Sequence, residues 1–432
     1  MRFVTHLESA LDGTHFAADT IQTMHQGRPL WVRYDLDRVK YAWAQKPLAA
    51  RHMDMWRYRE LLPVGEDIEP VSIGEMVSPI LVCPRLAAKL GLKDLLVKDE
   101  SQLPTTSFKC RGLSMAVTMA RHFGLNRLAM SSNGNAASAL AVYAARAGLE
   151  SLVVMPRDVN TGNLFECWMS GAHVYLADGL IDSCGKLIRA GHEAGHWFDV
   201  STLKEPYRLE GKKTMGLEIA EQLAWQLPDA ILYSTGGGTA LIGMWKAFCE
   251  LRQMGLLRSS VMPRMIAVQS TGCRPIVNAF EQGARFAQRH ENAHTAAYGI
   301  RVPQAIGDFM ILDAVRESGG CAVAVDENQI GPFQILGCRS EGLSFGLETS
   351  ASLVAVEQLL SRGLIRASEK ILIVNTAGAT KYWTESLPPF PQIDLNSPGD
   401  LKALFSESPK SARPAGVQPP LCNEDRATTR RN

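Results

Sequence analysis

Residues 230–251 read Ala230-Ile231-Leu232-Tyr233-Ser234-Thr235-Gly236-Gly237-Gly238-Thr239-Ala240-Leu241-Ile242-Gly243-Met244-Trp245-Lys246-Ala247-Phe248-Cys249-Glu250-Leu251. The segment opens on a short apolar run of strand type and passes through three consecutive glycines. It then places Leu241, Met244, Trp245, Phe248 and Leu251 on one stripe at helical spacing. Strand, glycine turn and helix in that order form the repeating half of a parallel α/β unit.

The same alternation runs outward from about Leu81 to Tyr382. Strands are expected at Arg127 to Met130, Ser151 to Met155, His173 to Ala177, Met265 to Val268, Cys321 to Val325 and Ile371 to Asn375. A helix is expected over Ala137 to Ala147, closed by Gly148. From Ser386 onward prolines gather among Ser, Glu and Arg, and Ser406 to Asn432 reads as a disordered tail.

Composition excludes several classes of function. The 432 residues are 46% hydrophobic and 21% charged, with a net charge of +1, so nothing favours nucleic acid or an anionic membrane. No apolar run has the roughly 18 residues of a spanning helix. The N-terminus has no leader-type apolar region, and the nine cysteines form no C-x-x-C pair. A reduced, cytoplasmic compartment follows as the expectation.

Chemistry concentrates in four places. Lys109 lies in Pro104-Thr105-Thr106-Ser107-Phe108-Lys109-Cys110-Arg111-Gly112. A desolvated lysine becomes a free amine able to form an imine, whereas an exposed helix-start lysine does no chemistry, and this segment alone fits both. Ser131-Ser132-Asn133-Gly134-Asn135-Ala136 joins a strand to a helix and offers donors to a carboxylate or oxyanion, or simply caps the helix. Gly236, Gly237 and Gly238 allow backbone amides to converge on a phosphate, with the Thr239 hydroxyl beside them. No Gly-Lys-Ser/Thr follows, and Leu241 stands where a dinucleotide fingerprint has its third glycine, so the phosphate belongs to neither a nucleoside triphosphate nor a dinucleotide. Thr376 ends the strand Ile371 to Asn375, where it either faces a ligand ring nitrogen or caps the strand. Lysine and glycine run together suggest an aldehyde cofactor held by an imine at one end and by its phosphate at the other.

A competing pattern is His192-Glu193-Ala194-Gly195-His196, which matches the zinc-peptidase motif H-E-x-x-H with Glu210 or Glu218 as a third ligand. Gly195 weakens the helix that motif requires, so a solvated helix end is the other reading.

These motifs, in this order, resemble threonine synthases, pyridoxal-phosphate enzymes of the tryptophan-synthase-β-like fold. The similarity also runs through Pro29 to Leu36 and, most specifically, through Leu203-Lys204-Glu205-Pro206-Tyr207-Arg208-Leu209-Glu210-Gly211-Lys212-Lys213-Thr214. It implies an α/β fold of two domains with parallel-type sheets. An N-terminal arm would span 1–60 and a smaller domain with the lysine 101–205. A larger domain with the glycine loop would take 61–100 and 206–385, leaving 386–432 as the tail.

The resemblance also implies roles. Lys109 is similar to the Schiff-base lysine that shuttles protons, and Asn135 to the asparagine at the cofactor's ring hydroxyl. Gly236, Gly237, Gly238 and Thr239 match the cofactor-phosphate loop, and Thr376 the hydroxyl at the pyridine nitrogen. Arg208 resembles the arginine that grips the substrate phosphate; Ser132, Asn133 and Ala136 lie where substrate is met. The implied reaction turns O-phosphohomoserine and water into threonine and phosphate. A β-replacement of the cysteate-synthase type or a threonine/serine dehydratase would use the same cofactor. A cofactor-binding protein without turnover is the non-enzyme alternative. A homodimer is implied as well.

Departures from the family pattern cluster near the substrate. Thr106 stands for a glycine, at a cost if the backbone there has φ > 0. Asn133 and Ala136 replace hydroxyl residues, and Ser344 to Ala351 replaces a Pro-Glu-Gly-Ala-Ala run. Relatives often carry an N-terminal cysteine zinc ribbon; the matching stretch here, Leu7 to Arg28, has no cysteine, so no metal is expected.

Overall fold

The computed structural model describes residues 3–382. The expected tail lies outside the described residues.

Three sheets organise the chain. The largest has six strands in the order Ala322–Val325, Arg264–Ser270, Ala230–Ser234, Lys370–Asn375, Asp94–Asp99 and Ile80–Val82. All neighbours run parallel except the edge strand Ile80–Val82, which pairs antiparallel with Asp94–Asp99. A second sheet, His173–Ala177, Glu150–Pro156, Arg127–Ser131 and Phe198–Asp199, is parallel throughout. The third is a small antiparallel sheet of His15–Phe16, Val4–Ser9 and Leu30–Tyr34, which the alternation of apolar runs does not foreshadow. The fold is therefore α/β with mixed as well as parallel sheets.

The strands read from the sequence form within one or two residues of their expected ends. The expected helix begins two residues early, at Asn135, and ends on Gly148 in the left-handed conformation. The stripe after the glycines becomes the helix Thr239–Gln253, with Leu241, Met244, Phe248 and Leu251 fully buried.

Helix Tyr207–Gln222 runs through the centre and is buried on every side over its first fourteen residues, Tyr207 to Ala220. Its charges are satisfied internally. Glu218 accepts from Lys98 Nζ at 2.7 Å and from Arg111 at 2.5 Å, and Arg111 also donates to Glu100 at 2.6 Å. Glu210 accepts from Lys246 at 2.7 Å and pairs with Lys213 at 2.7 Å. Buried pairs of this kind stabilise little in net terms, but either partner left alone is costly, so they fix which residues face each other. Arg111 follows Lys109 in the helix Lys109–His122 and ties its first turn to the large sheet.

These pairings also decide the zinc-peptidase motif. Glu210 and Glu218 are committed to lysines and an arginine. The helix Ile181–Glu193 ends at Ala194 and Gly195 takes φ +76°, so His196 does not share a helix face with His192. The His192 ring hydrogen-bonds the Trp197 carbonyl instead.

Candidate active site

Parallel strands leave their carboxyl ends open, and loops from there reach one cavity. Strands Ala230–Ser234 and Lys370–Asn375 are neighbours, with Ala230 opposite Ile371, so the glycine loop and Thr376 emerge side by side. The smaller parallel sheet contributes the loop after Arg127–Ser131. The Lys109 segment is sewn to the large sheet by backbone bonds: Phe108 N–H donates to Thr376 C=O at 3.0 Å, and Gly378 N–H donates to Thr106 C=O at 3.1 Å.

The result is a cavity of about 410 Å³. Lys109, Ser132, Asn133, Asn135, Ala136, Gly236, Gly237, Gly238, Thr239 and Thr376 all line it. Residues more than 260 positions apart in sequence thus meet at one point.

Lys109 is half-buried and opens onto the cavity, its amine 3.9 Å from the centre of the Phe108 ring. Among the described residues the amine has no hydrogen-bond or ion-pair partner. Desolvation brings it down to about 7; the nearby Glu348 carboxyl opposes this and Arg208 adds to it. Free amine and ammonium are therefore in comparable amounts at neutral pH.

Thr105 and Thr106 both take positive φ, 59° and 46°. The threonine in the family's glycine position therefore sits in the left-handed region that disfavours β-branched side chains. The strain lies in the turn that leads into the Lys109 segment.

The glycine loop admits no side chain at two of its positions. A Cβ on Gly236 would lie 2.5 Å from the Gly299 carbonyl oxygen. Gly238 takes φ +67° and its Cβ would lie 2.3 Å from Ile311. Thr239 opens the following helix, and its hydroxyl accepts from Lys212 Nζ at 2.7 Å.

In the smaller-sheet loop Ser132 Oγ accepts from Gly134 and Ala137 N–H at 3.0 and 3.1 Å, capping the helix. Asn133 Nδ2 donates to the carbonyls of Tyr298 and Arg301, bridging to the opposite wall. Asn135 Nδ2 donates to Tyr382 Oη at 3.0 Å, while its Oδ1 is buried without a partner among the described residues.

Arg208 is placed differently. It is buried behind the cavity and does not line it. Its Nη1 donates to the Val200 carbonyl at 2.6 Å, Nε and Nη2 have no partner among the described residues, and desolvation lowers it to about 10. The cations that do line the cavity are Arg28, Lys109, Arg189, Lys204 and Lys212. Among the described residues Arg189 and Lys204 have no hydrogen-bond or ion-pair partner.

Two lining groups escape sequence reasoning. Lys212 is buried, and desolvation, then Arg208 and Lys109, hold its amine well below the usual lysine range. Glu348 is buried in the first turn of the helix Leu347–Ser361. Its Oε1 accepts from Gly299 N–H at 2.7 Å, and its Oε2 meets no hydrogen-bond criterion among the described residues. Burial raises its carboxyl above the usual range, against the pull of the Tyr382 hydroxyl.

Comparison with known proteins agrees with this geometry. Residues 71–377 match the family described as pyridoxal-phosphate dependent enzyme. A threonine synthase of Methanocaldococcus jannaschii is 32% identical over 369 residues, 85% of this chain and 90% of that one. A threonine synthase of Methanosarcina acetivorans is 35% identical, covering 81% of this chain and 85% of that one. Among solved structures, threonine deaminase isoform 2 of Solanum lycopersicum superposes with a TM-score of 0.60 at 17% identity, over 80% of this chain and 84% of that one. Among the described residues no helix is long and apolar enough to cross a membrane. The chain belongs to the threonine synthase family of pyridoxal-phosphate dependent enzymes, and its cofactor is pyridoxal 5′-phosphate.

Proposed function

We propose that this protein is a threonine synthase-type lyase that converts O-phosphohomoserine and water into threonine and phosphate. The observation that carries the reading is the pairing, within one cavity, of a Lys109 amine without a partner among the described residues and a glycine cradle closed to side chains at Gly236 and Gly238. The residues fit the cofactor. A loop that excludes Cβ atoms brings backbone N–H groups against a phosphate, and Lys212 and Thr239 add donors beside it. Asn135 would hold the ring on the hydroxyl side through its side-chain amide, and Thr376 would offer a neutral hydroxyl to the ring nitrogen.

When bound, the cofactor supplies an electron sink for carbanion chemistry. The chain's own groups do the rest. Lys109, about half of it free base at neutral pH, takes and returns protons at the substrate carbons. Glu348 stands close by, its carboxyl held by Gly299 N–H and interacting with the Tyr382 hydroxyl. Arg189 and Lys204 offer charge to the substrate phosphate.

A second reading keeps the cofactor and changes the substrate to an unphosphorylated amino acid, with dehydration or β-replacement as the chemistry. It is favoured by Asn133, whose amide donors are already committed to the Tyr298 and Arg301 carbonyls. A phosphate-release assay over a panel of phosphorylated amino acids separates the two. The first reading expects phosphate from O-phosphohomoserine, lost in Lys109→Ala. Keto acid from threonine or serine with no phosphate release would transfer the protein to the second. Phosphate release undiminished in Lys109→Ala would overturn both.

A further inference from the structure

We propose that the N-terminal sheet holds a divalent transition cation of the zinc class between His6, Glu8 and His15. The argument starts from strand register. His6 and Glu8 are two apart on the strand Val4–Ser9, so they share a face. His15, on the antiparallel neighbour, is the direct cross-strand partner of Glu8. Leu7, between the two ligands, points to the opposite face and is fully buried in the core. Three donor side chains are thereby set on one side of a sheet whose other side is anchored.

Their donor atoms converge. His6 Nε2 lies 3.6 Å from Glu8 Oε2, and His15 Nε2 lies 3.8 Å from the same oxygen. All three atoms fall within 4.8 Å of one another. These gaps are too long for hydrogen bonds. They suit a shared ion, since tetrahedral ligands at roughly 2.1 Å from zinc are spaced about 3.4 Å apart. His6 Nε2 is buried and has no hydrogen-bond partner among the described residues.

Neighbouring groups orient the lone pairs. The Thr5 hydroxyl donates to the Arg33 carbonyl at 3.3 Å, so toward His6 Nδ1, 2.9 Å away, it acts as acceptor. Nδ1 then carries the proton and Nε2 presents its lone pair to the ion. Arg33 Nη2 donates to Glu8 Oε1 at 2.6 Å, which leaves Oε2 for the ion. Two histidines, one carboxylate and a solvent-filled fourth position make a donor set of zinc type. The missing cysteines of this stretch argue against a thiolate site and leave this one untouched.

Equilibrium dialysis of the full-length protein against Zn²⁺ tests the assignment. One equivalent is expected to be retained at ~10 µM free ion. His15→Ala is expected to lose it; His15 is exposed, so the variant folds. Thr5→Ala keeps every donor and is expected to weaken binding by about 10-fold, the usual cost of removing an orienting partner. His196→Ala, in the zinc-peptidase motif, is expected to change nothing. In the melting profile Zn²⁺ should raise the midpoint of the parent chain and leave that of His15→Ala unmoved. Retention of the same equivalent by His15→Ala, or no retention by the parent chain, overturns the proposal.

Discussion

Lys212 Nζ donates a hydrogen bond to Thr239 Oγ1 across 2.7 Å, joining the buried central helix to the first residue after the glycine loop. The amine is held well below the usual lysine range, by desolvation first and then by Arg208 and Lys109. A phosphate bound in the glycine loop would add negative charge to this cluster, which Glu205 and Glu348 offset only in part. Lys212→Met is expected to weaken pyridoxal 5′-phosphate by about 10- to 100-fold, the equivalent of one charge-assisted bond. Because the phosphate favours the protonated amine, binding takes up a proton and affinity falls as pH rises. Spectrophotometric titration of cofactor-free protein reads both effects, and an unchanged affinity would refute the role.

Lys109 titrates at about 7 because burial disfavours its charge. Its labelling by an amine-selective reagent in cofactor-free protein should be half-maximal near that pH, whereas exposed lysines need far more alkaline solution. The sign for stability follows. Between about pH 7 and 10.5 the unfolded chain carries a proton at this lysine that the folded chain does not, so cofactor-free stability gains from rising pH across that window. Lys109→Met removes this contribution to the slope. The Glu348 carboxylate opposes the depression. Glu348→Gln is therefore expected to move the labelling midpoint to lower pH, and a move upward would show that the carboxyl does not act on the amine.

Thr105 and Thr106, both at positive φ, store strain in the turn before Lys109. Thr106→Gly removes a β-branched side chain from that region, and is expected to stabilise the protein by ~1 kcal/mol after the added freedom of the unfolded glycine is subtracted. Thermal denaturation checks this. No gain, or a loss, would mean that the turn does not hold Thr106 in the left-handed region.

How much of this was readable from residues alone depends on where the physics is local. Strand runs such as His173–Ala177 and the glycine loop declare themselves, because apolar spacing and φ > 0 are properties of a few adjacent residues. The strand Asp94–Asp99 is masked by Lys98 and Asp99, charged residues that look exposed yet are buried against partners more than a hundred positions away. Helix Tyr207–Gln222 fails in the same way: its charges obscure any apolar stripe, and only Arg111, Lys98 and Lys246 reveal why they are inside. Glu348 and Lys212 could not be selected as site residues, since their burial beside Lys109 is a tertiary fact. Arg208 was legible as part of a family-specific run, but not its place behind the cavity wall.

Arg111 donates to both Glu100 and Glu218, and all three side chains are fully buried. Arg111→Ala leaves two buried carboxylates facing each other near Lys98 alone. The expected cost is about 3–5 kcal/mol. Arg111→Ala combined with Glu100→Gln should recover part of it, because one of the stranded charges is then gone. Chemical denaturation of the three variants measures the coupling, and strict additivity would mean that the pair does not act as one unit.

The position of Arg208 sets the last expectation. Its guanidinium sits behind the cavity wall, bonded to the Val200 carbonyl, whereas Arg189 and Lys204 line the cavity without partners. The two lining cations also repel each other, and Lys204 is lowered by desolvation first and by Arg189 in part. An anionic substrate group relieves that repulsion, so Lys204→Met and Arg189→Met are each expected to raise KM for the phosphorylated substrate by about 10-fold or more, with kcat less affected. Arg208→Met is expected to lower stability and cofactor retention, through the lost bond to Val200 and the lost positive charge near the buried Glu205, before it touches KM. Steady-state kinetics beside a melting profile for each variant distinguishes the two. A large KM effect confined to Arg208→Met would place the substrate phosphate on the far side of that wall.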